Sequence, residues 1–287
     1  MEINFKKLTE CRIEDIIKAW NRGFEGYYIK IEMTPDTFFH RMVNEGLSMN
    51  LSFVAFHGEE PVAILVNGIR SLNGKKMAWN GGTGVAPEYR GKGVSRLLME
   101  EALKIYEKEG IEVATLEAIK ENERAIRLYK RFGYEIVDSL VLLNGTREFA
   151  TKLDTSIQVK AIRPEQLSQK PFYHENVPWQ CQWQSVKTGE SQIYYDSENN
   201  ILGYCLYRRI WSQEGKVEKV IIYQLELFCE IHREIIDMIL FSISGEVANQ
   251  VDFMTVNSSL SNPAIQYLQA NGFQKTTEQV QMVKRMN

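Results

Sequence analysis

The order of secondary-structure signals in residues 51–134 recurs in residues 192–273, at an offset of about 140 residues. In the first half, strand-like runs at 51–57 and 62–70 are joined by a Gly-Glu-Glu-Pro turn; in the second, runs at 192–195 and 201–210 are joined by Ser-Glu-Asn-Asn. Longer strand patterns follow at 75–85 and 217–229, then helical patterns at 93–109 and 232–249, then strands at 112–119 and 251–256. Each series ends in a short helix, 123–132 or 263–271, closed by glycine and an aromatic: Gly133-Tyr134 and Gly272-Phe273. Solenoid repeats are roughly 20–50 residues long, so a period of this length means duplication of a whole domain. A chain of 287 residues accommodates two domains. The boundary is expected in the polar stretch at 150–155, giving domains 1–153 and 154–287.

The first half carries a feature that the second lacks. Val85-Ala-Pro-Glu-Tyr-Arg90-Gly91-Lys92-Gly93-Val94-Ser95 joins a strand pattern to an amphipathic helix. Helix N-termini leave backbone N–H groups unpaired and carry partial positive charge, which suits a phosphate. Gly91 and Gly93 permit close approach of the backbone, and Arg90, Lys92 and Arg96 add cations. An ordinary strand–turn–helix link with solvated basic residues has the same composition. The decision between the two comes from a second segment about 30 residues downstream.

That segment is Asn122-Glu-Arg-Ala125-Ile-Arg-Leu128-Tyr129-Lys-Arg-Phe132-Gly133-Tyr134. Ala125, Leu128, Tyr129 and Phe132 share one helical face, Asn122 stands at the N-cap and Gly133 at C′. Residues 134–143 read as a further strand, with Asn144-Gly145 as a type I′ hairpin turn. Taken together, the two segments resemble the GNAT superfamily, the Gcn5-related N-acetyltransferases. Arg90-Gly91-Lys92-Gly93-Val94-Ser95 is similar to that family's Arg/Gln-x-x-Gly-x-Gly/Ala acyl-CoA loop, with Ser95 in place of the usual Gly or Ala. Asn122 to Tyr134 matches its Asn-x-x-Ala-x-x-Leu-Tyr-x-x-x-Gly-Tyr/Phe pattern without a gap.

The resemblance implies an α/β (α+β) fold of two tandem GNAT-like domains, each a mixed, mostly antiparallel sheet flanked by helices. It implies acetyl-CoA as cosubstrate, held by Val85, Arg90, Gly91, Lys92, Gly93, Val94, Ser95 and Asn122. It also implies transfer of the acetyl group to an amine, with Tyr129 protonating the departing thiolate. Glu117 is a candidate base acting through water; a structural strand glutamate is the plain alternative. The oxyanion donor is expected at a bulge near Gly84 or Val85, since Gly81-Gly82-Thr83-Gly84 makes this strand pliable. Glu25, Tyr27, Tyr28 and Asn80 are candidates for the acceptor side, where the family uses its first helix and the loop after it.

The second half has Glu230-Ile-His-Arg-Glu-Ile where the first has the glycine loop, and Leu268 opposite Tyr129. Two glutamates repel a pyrophosphate and leucine has no proton to give, so this copy is expected to keep the fold without the chemistry. Its aromatics Phe172, Tyr173, Trp179 and Trp183 could line a groove, pack between domains or form a homodimer. A formal net charge of −3 argues against a nucleic-acid partner. The four cysteines and four histidines are scattered without metal-ligand spacing, so no metal is expected. No apolar run reaches a membrane span and the N-terminus has no apolar leader, so a cytoplasmic protein acting on a small-molecule or peptide amine is expected. A non-catalytic acyl-CoA-binding regulatory module is the alternative function.

Overall fold

A computed structural model describes residues 1–29, 31–149, 157–245 and 250–286. The chain divides into two compact units, Met1–Val137 with Gln281–Asn287, and Asp138–Val280. The domain boundary expected between 153 and 154 lies outside the described residues.

The first unit contains β1 (Asn4–Lys7), α1 (Ile13–Gly23), α2 (Pro35–Asn44), β2 (Phe53–His57), β3 (Glu60–Leu72), β4 (Lys75–Val85), α3 (Val94–Lys108), β5 (Val113–Ile119) and α4 (Glu123–Arg131). Its strands lie in the order β1-β2-β3-β4-β5. The pairings are antiparallel as far as β4, and β4 to β5 is parallel. The C-terminal residues complete this unit: the Met286 amide donates to the Glu112 carbonyl beside the start of β5.

Sequence accounts for most of these elements. Thr34 caps α2 by accepting from the Thr37 amide, and Pro35 supplies a first helical residue whose missing N–H would have been unpaired anyway. On β3, Ile64 and Val66 join a core with Leu8, Ile16, Trp20 and Phe38 under α1 and α2. The residue after Val66 turns the other way: buried Asn67 accepts from the Tyr106 hydroxyl of α3 at 2.6 Å. The sheet therefore has helices on both faces, as strand alternation requires.

Glycines set how closely α1 approaches β4. A Cβ on Gly23 would lie 2.9 Å from the Gly84 backbone, and one on Gly82 would lie 2.9 Å from the Trp20 ring. The glycine run read as pliable is thus largely a flat seat for α1, Trp20 and Phe24.

The second unit contains most of β6 (Glu135–Glu148), then β7 (Gln158–Ile162), α5 (Pro164–Ser168), β8 (Glu190–Tyr195), β9 (Ile201–Trp211), β10 (Val217–Leu227), α6 (Arg233–Ser244), β11 (Gln250–Thr255), β12 (Ser258–Ser259), α7 (Pro263–Ala270) and most of β13 (Gln274–Arg285). The strands β6-β11-β10-β9-β8-β7 follow one another, with β10 to β11 the parallel pair. The mixed, mostly antiparallel arrangement thus occurs in both units.

Two local expectations change. Asn144-Gly145 is not a hairpin turn, because both residues pair within β6, Asn144 with Met254 and Gly145 with Phe253. The glycine serves packing there, since a Cβ would stand 2.6 Å from the Phe273 ring. The helix expected over 232–249 ends at Ser244, where Gly245 turns left-handed at φ 68°; residues 246–249 lie outside the described ones.

The seat of α1 on β4 is testable at Gly23. Helix propensity favours alanine there by up to about 1 kcal/mol, whereas forcing an atom against the Gly84 backbone costs about 1–3 kcal/mol. Gly23→Ala is therefore expected to lower stability in denaturant unfolding. A variant as stable as the native chain would show that α1 can shift without cost.

Candidate active site

Two backbone features define the site of the first unit. The first is the end of the β4–β5 pairing. Met77 to Asn80 pair with Val113 to Leu116, and the pairing stops there. At the same place, the β3–β4 register slips between Val66/Gly82 and Asn67/Asn80, which leaves Gly81 as a bulge. The bulge lies at Gly81, and not at Gly84 or Val85 where the sequence suggested it. Asn80 holds it from within: its Oδ1 accepts from the Gly82 amide and its Nδ2 reaches the Thr83 hydroxyl at 2.8 Å. Arg41 holds it from α2, donating to the Gly81 carbonyl at 2.5 Å.

Beyond the bulge, β4 has an open side. The Ala86 amide donates to Val62 on β3. By alternation the Gly84 amide points towards β3 as well, and those of Thr83 and Val85 point away from it. Val85 is therefore the better oxyanion candidate of the two named from sequence.

The second feature is the loop into α3. Gly91 and Gly93 both adopt the left-handed conformation, at φ 78° and 88°. Among the described residues, no protein acceptor meets the amides of Gly91, Lys92, Gly93, Val94 and Ser95. Five unpaired donors in succession at a helix N-terminus form a nest for an anion. Arg90 supports this loop from behind. Its guanidinium donates to the carbonyls of Val85 (2.8 Å), Gly23 (3.2 Å) and Glu25 (2.6 Å), tying the loop to the ends of α1 and β4. Lys92 lies over the Tyr89 ring and Arg96 pairs with Glu100.

The remaining candidates lie on α4, β5 and the loop after α1. Asn122 caps α4, accepting from the Ala125 amide at 3.2 Å. It also neighbours Tyr27, whose phenol is raised by burial, with Asn122 acting in the opposite direction. Tyr129 is buried on α4, and burial pushes its phenol up to about 12 while the adjacent Thr83 side chain opposes the shift. It therefore stays protonated across the neutral range. Tyr28 donates to the Glu121 carbonyl, and the exposed Glu25 carboxylate lies 3.6 Å from Arg22.

Glu117 has the most unusual environment. Its Oε2 accepts from the Trp79 indole at 2.7 Å, and its Oε1 is buried with no hydrogen-bond partner. Burial raises this carboxyl from 4.5 to about 7; Trp79 opposes the shift, Glu45 adds to it and Arg41 reduces it. An orphaned acceptor on a carboxyl held near neutrality keeps Glu117 a candidate base, beside the alternative of a structural strand glutamate.

Four participants were missed from sequence. Trp79 pairs with Thr115 across the parallel strands, so Glu117, two residues on, shares its face; that register is invisible until the pairing is known. Arg41 stacks on Trp20 and Trp79 and bonds Glu45 at 2.8 Å. Thr83 neighbours Tyr129. Arg124 lies within 3.3 Å of a Cβ built on Gly91. Its signal was present: a cation in the first turn of a helix opposes the macrodipole and calls for a reason.

The second unit keeps the scaffold and loses the nest. Pairing of β10 with β11 ends at Ile222/Thr255, and a bulge at Tyr223 follows, 142 residues after Gly81 (223 − 81). Yet α6 starts from extended His232 without a left-handed glycine, and its N-terminus faces an acid of its own, since the Glu234 carboxylate is lowered by its own backbone amide and by His232. Among the described residues, no group of three or more His, Cys, Asp and Glu side chains could hold a metal ion. No described helix is long and apolar enough to cross a membrane.

The site of the first unit is thus a mixed sheet whose parallel pair parts at a bulge, beside a glycine nest at a helix N-terminus. Residues 13–134 match the model of the acetyltransferase (GNAT) family. The chain is 26% identical over 136 residues to an uncharacterized N-acetyltransferase of Methanocaldococcus jannaschii, an alignment covering 45% of this chain and 59% of that protein. The fold is similar to a GCN5-related N-acetyltransferase from Sphaerobacter thermophilus, at a TM-score of 0.63 and 12% identity over 99% of this chain and 95% of that one. A tandem GNAT protein from the clavulanic acid biosynthesis pathway has the same TM-score at 11% identity, over 99% and 98%. The acetyltransferase (GNAT) match thus falls within the first unit, and over the whole chain the fold is similar to that of a tandem GNAT protein.

The Glu117 environment has a consequence for stability. A carboxyl whose folded value is raised from 4.5 to about 7 stabilises the fold fully below the lower value and loses that contribution as pH rises through the upper one. Glu117→Gln removes the titration. The native chain is expected to lose stability relative to this variant across that window, by on the order of 3 kcal/mol. Parallel unfolding curves at every pH would show that Glu117 titrates normally.

Proposed function

We propose that the first unit is an acetyl-CoA-dependent N-acetyltransferase acting on a small-molecule or peptide amine. The observation that carries this reading is the row of unpaired amides from Gly91 to Ser95 beside the open edge of β4. When bound, acetyl-CoA supplies the acyl group and a thiolate leaving group. The amides of Gly91, Lys92, Gly93, Val94 and Ser95 would hold its diphosphate, with Lys92 and Arg124 adding charge and Arg90 fixing the loop. Val85 and Asn122 would contact the arm of the cosubstrate.

The chemistry falls to three groups. Glu117 would take a proton from the acceptor ammonium, directly or through one water, so that neutral nitrogen forms the C–N bond. The Val85 amide would polarise the carbonyl oxygen while that carbon is tetrahedral. Tyr129 would give its proton to sulfur as the C–S bond breaks, and would be reprotonated by the second proton that the nitrogen sheds on becoming an amide. One proton is released overall. Tyr27, Tyr28 and Glu25 would form the acceptor wall, and Asn80 would act by maintaining the bulge.

Thiol release from acetyl-CoA, measured with a panel of amines, tests this reading. Tyr129→Phe is expected to lower kcat by about 10²–10⁴-fold while sparing CoA affinity. Saturable CoA binding without thiol release for any amine would make the unit a binding module.

The pH profile tests Glu117 separately. Turnover should fall as pH drops below about 7, and Glu117→Gln should remove that limb. Trp79→Phe, which removes the indole donor to the carboxylate, should move the limb to higher pH. An unchanged profile in both variants would assign the base to another group.

A further inference from the structure

The second unit has a cleft of its own, and its chemistry is opposite to that of the first. Where β10 and β11 part after Ile222/Thr255, a cavity of about 430 Å³ opens. This volume falls in the range of small-molecule sites, roughly 300–1,000 Å³. A water molecule occupies about 30 Å³ in the liquid, so the space exceeds that of a few structural waters.

The floor of the cavity is fixed before any ligand arrives. Gln224 is buried, and all its polar atoms are engaged. Its Oε1 accepts from the Tyr204 hydroxyl at 2.8 Å, and its Nε2 donates to the Tyr173 hydroxyl at 3.0 Å and the Cys181 carbonyl at 2.8 Å. Asn262 caps α7 through its Oδ1 and clips that helix to β10 through its Nδ2, which donates to the Leu225 carbonyl at 3.1 Å. A fully satisfied buried network of this kind is rigid.

The carboxylates of the cavity are faced by a single imidazole, His174. Two carboxylates border the cavity, Glu226 and Asp138, and among the described residues no lysine or arginine does. Glu226 receives Asn262 Nδ2 at 3.0 Å and lies 3.7 Å from His174 Nδ1, with both contacts on Oε1. Asp138 receives the Ser259 hydroxyl at 3.0 Å and the Ser139 amide at 2.7 Å, both on Oδ1. One oxygen of each carboxylate is thus left for a ligand. Two half-buried anions with one imidazole and no lysine or arginine among the described lining residues suit a cation from outside. The hydroxyls of Ser258, Ser259 and Ser261 can both donate and accept, which suits a ligand that also carries hydroxyl or amide groups. A metal ion is a poor occupant, because among the described residues no three His, Cys, Asp or Glu side chains converge.

We propose that this cleft binds a small organic ammonium compound bearing hydroxyl or amide groups, with Glu226 and Asp138 as its counter-ions. The proposal does not depend on acetyl transfer in the first unit, since it concerns binding in the absence of acyl-CoA.

Isothermal titration of the full chain with glucamine and with spermidine tests it, each beside an uncharged counterpart, sorbitol and fully N-acetylated spermidine. At about pH 8 the ammonium groups are charged and a typical histidine is neutral. Saturable binding of at least one ammonium probe is expected, with its counterpart at least tenfold weaker. Glu226→Gln keeps an acceptor for Asn262 and removes the charge; it is expected to weaken binding at least tenfold. His174→Lys, on a largely exposed ring, places a competing cation beside Glu226 and should have the same effect. Thermal unfolding verifies that each variant is folded, and if Glu226→Gln is not, His174→Lys decides. No saturable binding of either ammonium probe, equal binding of a counterpart, or native affinity in a folded variant would overturn the proposal. The last result would assign the heat to the first unit.

Discussion

The parting of β4 from β5 is the constraint on which the site of the first unit depends. Two parallel strands normally satisfy each other's backbone groups, and here they do so only as far as Asn80 and Leu116. Gly81 interrupts the strand, and three side chains or surfaces keep it interrupted: Asn80 from within, Arg41 from α2, and the glycine seat of α1. Opening the strand pair exposes backbone donors that a continued sheet would have consumed. The same opening leaves Glu117 partly buried, with one oxygen buried and unbonded. Site and fold are therefore the same feature seen at two scales.

Much of this was legible in the sequence, for identifiable reasons. The left-handed glycines at 91 and 93 announced themselves because few other residues serve there. The Asn122 cap, the Thr34-Pro35 start of α2 and the left-handed Gly133 follow from local rules that tertiary structure did not override. The duplication was legible because element order recurs; the matching bulges at Gly81 and Tyr223 emerged only from the strand registers. What escaped depended on contacts between distant segments. Arg41 meets Gly81 forty positions away, and Trp79 meets Glu117 only through the parallel register. Gly145 looked like a turn residue because sequence reports that a glycine is needed, without reporting that Phe273 is why.

The two units illustrate how one scaffold separates fold from chemistry. Both part a parallel strand pair at a bulge, and so both have a cleft. In the first, unpaired amides and basic residues border the opening. In the second, the helix N-terminus is answered by Glu234 and the cleft is lined by carboxylates and hydroxyls. The backbone path is shared by the two units, whereas the groups that border each opening are not.

The central claim is that the amides from Gly91 to Ser95 form the diphosphate cradle. Amide hydrogen exchange of the full chain, with and without CoA, measures this directly. The account predicts slowed exchange confined to peptides covering the loop into α3 and the open edge of β4. Protection at the start of α6 instead, or none anywhere at saturating CoA, would contradict it.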